Sequence, residues 1–152
     1  MHEPRSFRLF RVVVVVVLGL FTLVPLYVMV TSSIKPLAQV NLTSPQAGSK
    51  TKGIAIVVRQ GTTTAIELAA QAVPANTSHD AYAVWLYNSP TDATLLGFVN
   101  PGVKSDGVLR TLGRLPTNAS HFKQLLVTRE TQAKPHAPGA IVLQGSLSLP
   151  SA

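Results

Sequence analysis

The stretch Ala81–Asn88, AYAVWLYN, decides how this chain is read. Tyr82, Val84 and Leu86 fall on one side of an extended backbone, and Ala83, Trp85 and Tyr87 on the other. A period of two built from β-branched and aromatic residues is the pattern of a strand. The same period recurs on both sides of it. Ile66, Leu68 and Ala70 alternate with Ala65, Glu67 and Ala69. Leu125 and Val127 alternate with Gln124, Leu126 and Thr128, and Ile141, Leu143, Leu147 and Leu149 with Val142, Gln144, Ser146 and Ser148. Gly53–Arg59 is a further β-branched run, and Ala93–Val99 a less regular one. Turn signals separate these runs at Gln60-Gly61, Pro74–Asp80, Asn88–Asp92, Asn100-Pro101-Gly102, Ser105-Asp106-Gly107 and Lys134–Gly139. One helical turn is expected around Asn118–Phe122, capped by Asn118 or Ser120. Short strands at this spacing predict an all-β fold, an antiparallel β-sandwich over residues 53–149.

Ahead of the strands lies a segment written for another solvent. Val12–Val30, VVVVVVLGLFTLVPLYVMV, carries no charge. About 20 apolar residues cross a hydrocarbon core, and a helix there satisfies its own backbone hydrogen bonds. Residues 12–33 are therefore expected to form a single transmembrane helix kinked at Pro25. A cleaved signal peptide is the competing reading, but the apolar run is longer than the usual h-region and no clean small-residue cleavage site follows it. Arg5, Arg8 and Arg11 precede the run, and only Lys35 follows closely. The positive-inside rule places residues 1–11 in the cytoplasm as a short tail and the C-terminal part outside the cell membrane. Residues 34–52, with Pro36, Pro45 and several Ser, Thr and Lys, read as a linker.

Composition narrows the function. The 152 residues are 46% hydrophobic and 12% charged, with no cysteine and a net charge of +7. Disulfide scaffolds, zinc ribbons and thiol redox sites are excluded by the missing thiols. The basic balance raises nucleic-acid binding, but it reflects few acids more than many bases. Beyond residue 35 nine bases meet five carboxylates, leaving +4. Arg110 and Arg114 either face one surface and meet an anionic envelope component or headgroup, or scatter as solubilising charge. No nucleophile elbow or phosphate-cradling glycine loop occurs. His2, His79, His121 and His136 are widely spaced, without metal-ligand spacing, and are expected to be exposed. Glu67, Asp80, Asp92, Asp106 and Glu130 include no recognisable acid–base pair. No enzyme activity, metal or cofactor is expected. Asn41, Asn76 and Asn118 each open an Asn-x-Ser/Thr sequence.

Three segments are more specific than their periodicity. They are Tyr82-Ala83-Val84-Trp85-Leu86, Leu95-Leu96-Gly97-Phe98-Val99, and Val127-Thr128-Arg129-Glu130 followed by Pro138-Gly139 and a strand reaching Gly145. In this order they resemble the extracytoplasmic C-terminal domain of the anti-sigma-K factor family, over roughly residues 53–149. The resemblance does not extend to that family's cytoplasmic sigma-binding domain. It implies a membrane-anchored regulator of sigma-factor-dependent transcription, working by protein–protein contact with a sigma factor or another membrane protein. It marks Tyr82, Val84, Trp85, Leu86, Gly97, Val127, Thr128, Glu130, Pro138 and Gly145 as motif positions, read here as structural. Separately, Pro25–Pro36 is similar to the end of the first membrane helix of carbohydrate ABC-transporter permeases. A different class of function, an envelope module binding a ligand or polymer, predicts a solvent-exposed Trp85 in an aromatic groove; a buried Trp85 counts against it.

Overall fold

The computed structural model describes residues 34–150. Eight strands follow in order: β1 (Ile34–Thr43), β2 (Lys52–Gln60), β3 (Thr63–Gln71), β4 (Ala81–Ser89), β5 (Asp92–Phe98), β6 (Leu109–Arg114), β7 (Gln124–Glu130) and β8 (Ala140–Ser146). They form one sheet in the order β5-β4-β7-β8-β1-β2-β3-β6, every neighbouring pair antiparallel. Its two edge strands, β5 and β6, approach each other, so the sheet is a nearly closed, barrel-like wall. The all-β antiparallel expectation holds, and the architecture is one continuous sheet.

The period of two explains why this wall closes. Val40 and Leu42 of β1, Ala55 and Val57 of β2, and Ile66 and Leu68 of β3 point inward. They meet Tyr82, Val84 and Leu86 of β4, Leu125 and Val127 of β7 and Leu143 of β8 in one core. Each such large side chain, fully buried, contributes about 1.5–3 kcal/mol. Leu147 extends this core past β8, its N–H bonded to the Lys123 carbonyl.

The sheet is uneven in its joints. β1 pairs with β2 from Ile34↔Gln60 to Thr43↔Lys52, yet pairs with β8 only at Thr43↔Gln144. That single rung divides the wall into two four-stranded halves. Gly145 makes the approach there: a Cβ on it would run into the Asn41 carbonyl oxygen and come within 2.6 Å of a Val40 methyl.

Three expectations are corrected or refined. Residues 34–52 are not simply a linker, because Ile34–Thr43 is β1. Pro36 and the polar residues around it masked the alternation of Val40 and Leu42 with Gln39 and Asn41. Pro36 sits where the β1–β2 register shifts, a place that tolerates its missing N–H. The domain boundary thus moves from residue 53 to residue 34. The strand β6 went unread because an edge strand with Arg110 and Arg114 has little apolar alternation. The expected helical turn is present as a short 3-10 helix at Ala119–His121, but the Asn118 side chain makes no cap bond. The expected transmembrane helix at 12–33 and the tail 1–11 lie outside the described residues. Among the described residues no helix is long and apolar enough to cross a membrane.

Candidate functional site

The motif residues come together on β4 and β7. Trp85 is paired with Leu126 across the β4–β7 ladder, so both point to the sheet face opposite the main core. With Ala83 they form a second, smaller cluster, flanked by Tyr87, Ala93 and Leu95. Trp85 is 2% exposed. Its indole Nε1 donates to Thr128 Oγ1 at 3.0 Å and to Glu130 Oε1 at 3.2 Å. The Thr128 hydroxyl also donates to Glu130 Oε1, and so does the Gly139 N–H, at 2.8 Å. One buried carboxylate oxygen therefore receives three donors, which is how an acid is held inside a fold. A Cβ at Gly139 would lie 2.7 Å from both the Arg129 carbonyl oxygen and Glu130 Oε2. Glycine is what lets the β7–β8 connection come down on Glu130.

The remaining motif positions are structural in the same sense. Tyr82, Leu86 and Val127 are fully buried and Val84 nearly so. Gly97 has φ of 152°, on the edge strand β5. Pro138 is half-buried beside Gly139, and Gly145 makes the close β1–β8 approach.

Arg129, next in sequence to Glu130, points the other way. Its Nη2 donates to the Tyr82 hydroxyl at 2.7 Å, and the guanidinium lies 5.3 Å from the centre of the Tyr82 ring. The Tyr82 hydroxyl donates to the Pro74 carbonyl at 2.7 Å. Asp80 closes this corner, 3.9 Å from Arg129 Nε. Hydrogen bonds from Asn76 and Thr77 hold the Asp80 carboxyl down at about 2. The Asn76 amide is engaged on both sides, donating to Asp80 and accepting from the Val103 N–H at 2.7 Å.

His121 and Asp92 pair at 2.8 Å on the surface, and Asn88 donates to the same Asp92 oxygen at 2.9 Å. Those bonds hold the Asp92 carboxyl below its usual range, Asn88 contributing most. The sequence separation of 29 residues hid this pair. It lacks the third member of a catalytic triad: no hydroxyl donates to His121 among the described residues. No group of three or more metal-ligating side chains converges among the described residues either.

Two outward surfaces are open. The first is a polar depression of about 310 Å³ lined by Asn41, Thr43, Gln124, Gln144, Gly145 and Ser146. The second is the outer face of β2, β3 and β6, whose register sets three rungs. They are Ile54, Ala69 and Arg110; Ile56, Glu67 and Leu112; and Val58, Ala65 and Arg114. Most of these apolar side chains are half-buried by one another, although they belong to neither core cluster. Glu67, in the middle rung, is pushed up to about 7 by burial, with Arg110 pulling the other way.

Comparison with protein-family models, with curated proteins and with solved structures returns no match.

Proposed function

We propose that this chain is a single-pass, membrane-anchored, non-catalytic regulatory protein, its β domain resembling the outer domain of an anti-sigma-K factor. In this reading residues 1–11 lie in the cytoplasm, residues 12–33 cross the membrane and the β domain stands outside. The two halves of the sheet serve as the layers of a sandwich. Its partner is a sigma factor or another membrane regulator, reached by protein–protein contact, with no role for nucleic acid.

The observation that carries the reading is the joining of the motif segments into one unit. The Tyr-x-Val-Trp-Leu segment is β4, the Val-Thr-x-Glu segment is the adjacent β7, and Trp85, Thr128, Glu130 and Gly139 are bonded to one another. This gives a physical reason for those residue types to occur together. The burial of Trp85 removes the exposed aromatic that a stacking-type ligand module requires.

The test is expression of the full chain beside a sigma-dependent reporter, with capture of partners from detergent-extracted membranes. The expected result is a changed reporter output and a co-purifying sigma factor or membrane regulator. An unchanged reporter with no captured partner overturns the proposal. The polar depression favours a second reading, an envelope module for a neutral hydrogen-bonding ligand or polymer. Five of its six lining residues carry side-chain amides or hydroxyls, and none carries a charge.

A further inference from the structure

We infer that the outer face of β2, β3 and β6 rests on an anionic lipid surface, Ile54, Ile56, Val58 and Leu112 against the apolar boundary and Lys52, Arg110 and Arg114 among the headgroups. The inference rests on the membrane-anchored reading above. Two observations support it.

The first is the composition of the face. Its centre is aliphatic over three successive rungs, and side chains of this kind on an outer sheet face gain by leaving water. The second is charge. Register places Arg110 and Arg114 on this same face, at opposite ends of β6, and Lys52 at the start of β2 shares the side of Ile54 and Ile56. The face thus has an apolar centre with a cationic rim, the pattern that binds an anionic bilayer surface. Its one carboxylate, Glu67, is pushed up to about 7 by burial, so it opposes those headgroups less than a fully ionised acid would.

The absence of cysteine permits a direct test. The full chain bearing Ile56→Cys is nitroxide-labelled and reconstituted into phosphatidylcholine vesicles, with and without phosphatidylglycerol. Collisions of the label with a water-soluble relaxant and with oxygen are then compared. A label at Gln124→Cys, on an exposed position of β7, is the control. The expected result is a severalfold loss of water-side collisions at position 56 in the anionic vesicles, with the control unchanged. Arg110→Glu with Arg114→Glu reverses it, since each cation near such a surface is worth roughly fivefold in binding.

A label at 56 that stays water-accessible, in a chain that resists alkaline extraction, overturns the inference and leaves the anchor standing. A label in the anionic vesicles shielded from oxygen as well as from the water-soluble relaxant shows protein covering the face, which also overturns it. A chain released by alkaline extraction overturns the anchor, and the inference with it.

Discussion

The two outward faces of the sheet have similar ingredients and opposite fates. On the β4–β7 half, Ala83, Trp85 and Leu126 surround one carboxylate, Glu130. On the β2–β3–β6 half, Ile54, Ile56, Val58 and Leu112 surround one carboxylate, Glu67. Glu130 receives the Trp85, Thr128 and Gly139 donors. Glu67 receives no hydrogen bond among the described residues, and burial raises its pKa to about 7. The difference lies in what covers each face. A face closed by its own chain can supply donors to an acid; an open apolar face only desolvates it. Glu130 is thus a completed structural device, whereas Glu67 marks a surface whose covering is not supplied by the described strands.

This contrast can be broken at four places. The largest effect is expected for Trp85→Ala, which empties the covered cluster and removes a donor. Urea unfolding should show a loss of about 3–5 kcal/mol. A loss below about 1 kcal/mol would mean that the β4–β7 face is not packed as a core. Next is Glu130→Ala, which leaves the Thr128 hydroxyl and the Gly139 N–H without their acceptor and the Trp85 indole with Thr128 alone. A cost of about 2–4 kcal/mol is expected in the same measurement, from the penalty for buried unpaired donors. Glu130→Gln, keeping one oxygen acceptor, should cost less.

On the open face the sign changes. A carboxyl with a raised folded-state pKa favours folding in its protonated form, so its contribution is present below about 4.5 and lost as pH rises through about 7. Glu67→Gln should therefore stabilise the domain at pH 8 by roughly 1 kcal/mol, discounted for its half-exposed position, and do nothing at pH 4. Denaturation midpoints at the two pH values check this. The smallest effect is expected for Ile56→Ser: less than about 1 kcal/mol in detergent solution, where the face needs no partner. A loss as large as that of Trp85→Ala would place Ile56 in a core and erase the distinction.

Much of the fold was readable because most strands have one inward face. Ile66, Leu68 and Ala70 on β3, and Leu125 and Val127 on β7, are buried as their alternation requires. Where the pattern broke, physics other than burial was at work. β1 was hidden by Pro36, which sits at a register shift, and β6 by edge-strand arginines. The motif residues were legible as positions but not as a network. Nothing in the spacing of Trp85, Glu130 and Gly139 shows that an indole, a carboxylate and a glycine amide converge. Arg110 and Arg114 are four residues apart, an even spacing that puts both on one face once β6 is known to be a strand. Glu67 stands out only in three dimensions, since its apolar neighbours come from β2 and β6 as well as from β3.

The uneven pairing of β1 has a mechanical meaning. Ile34 and Gln60 form the open end of the β1–β2 hairpin, and a single rung binds β1 to β8 on its other side. With the opposing hold at Gln60 on β2, tension delivered through Ile34 loads the rungs to β2 one after another, as a zipper is loaded, and not all together in shear. The first strand should therefore peel off at low force and carry Val40 and Leu42 out of the core, while the other seven strands keep their own ladders. A pull on the N-terminal side of this domain would act as a rip-cord, turning a small displacement into an opened trough between β2 and β8.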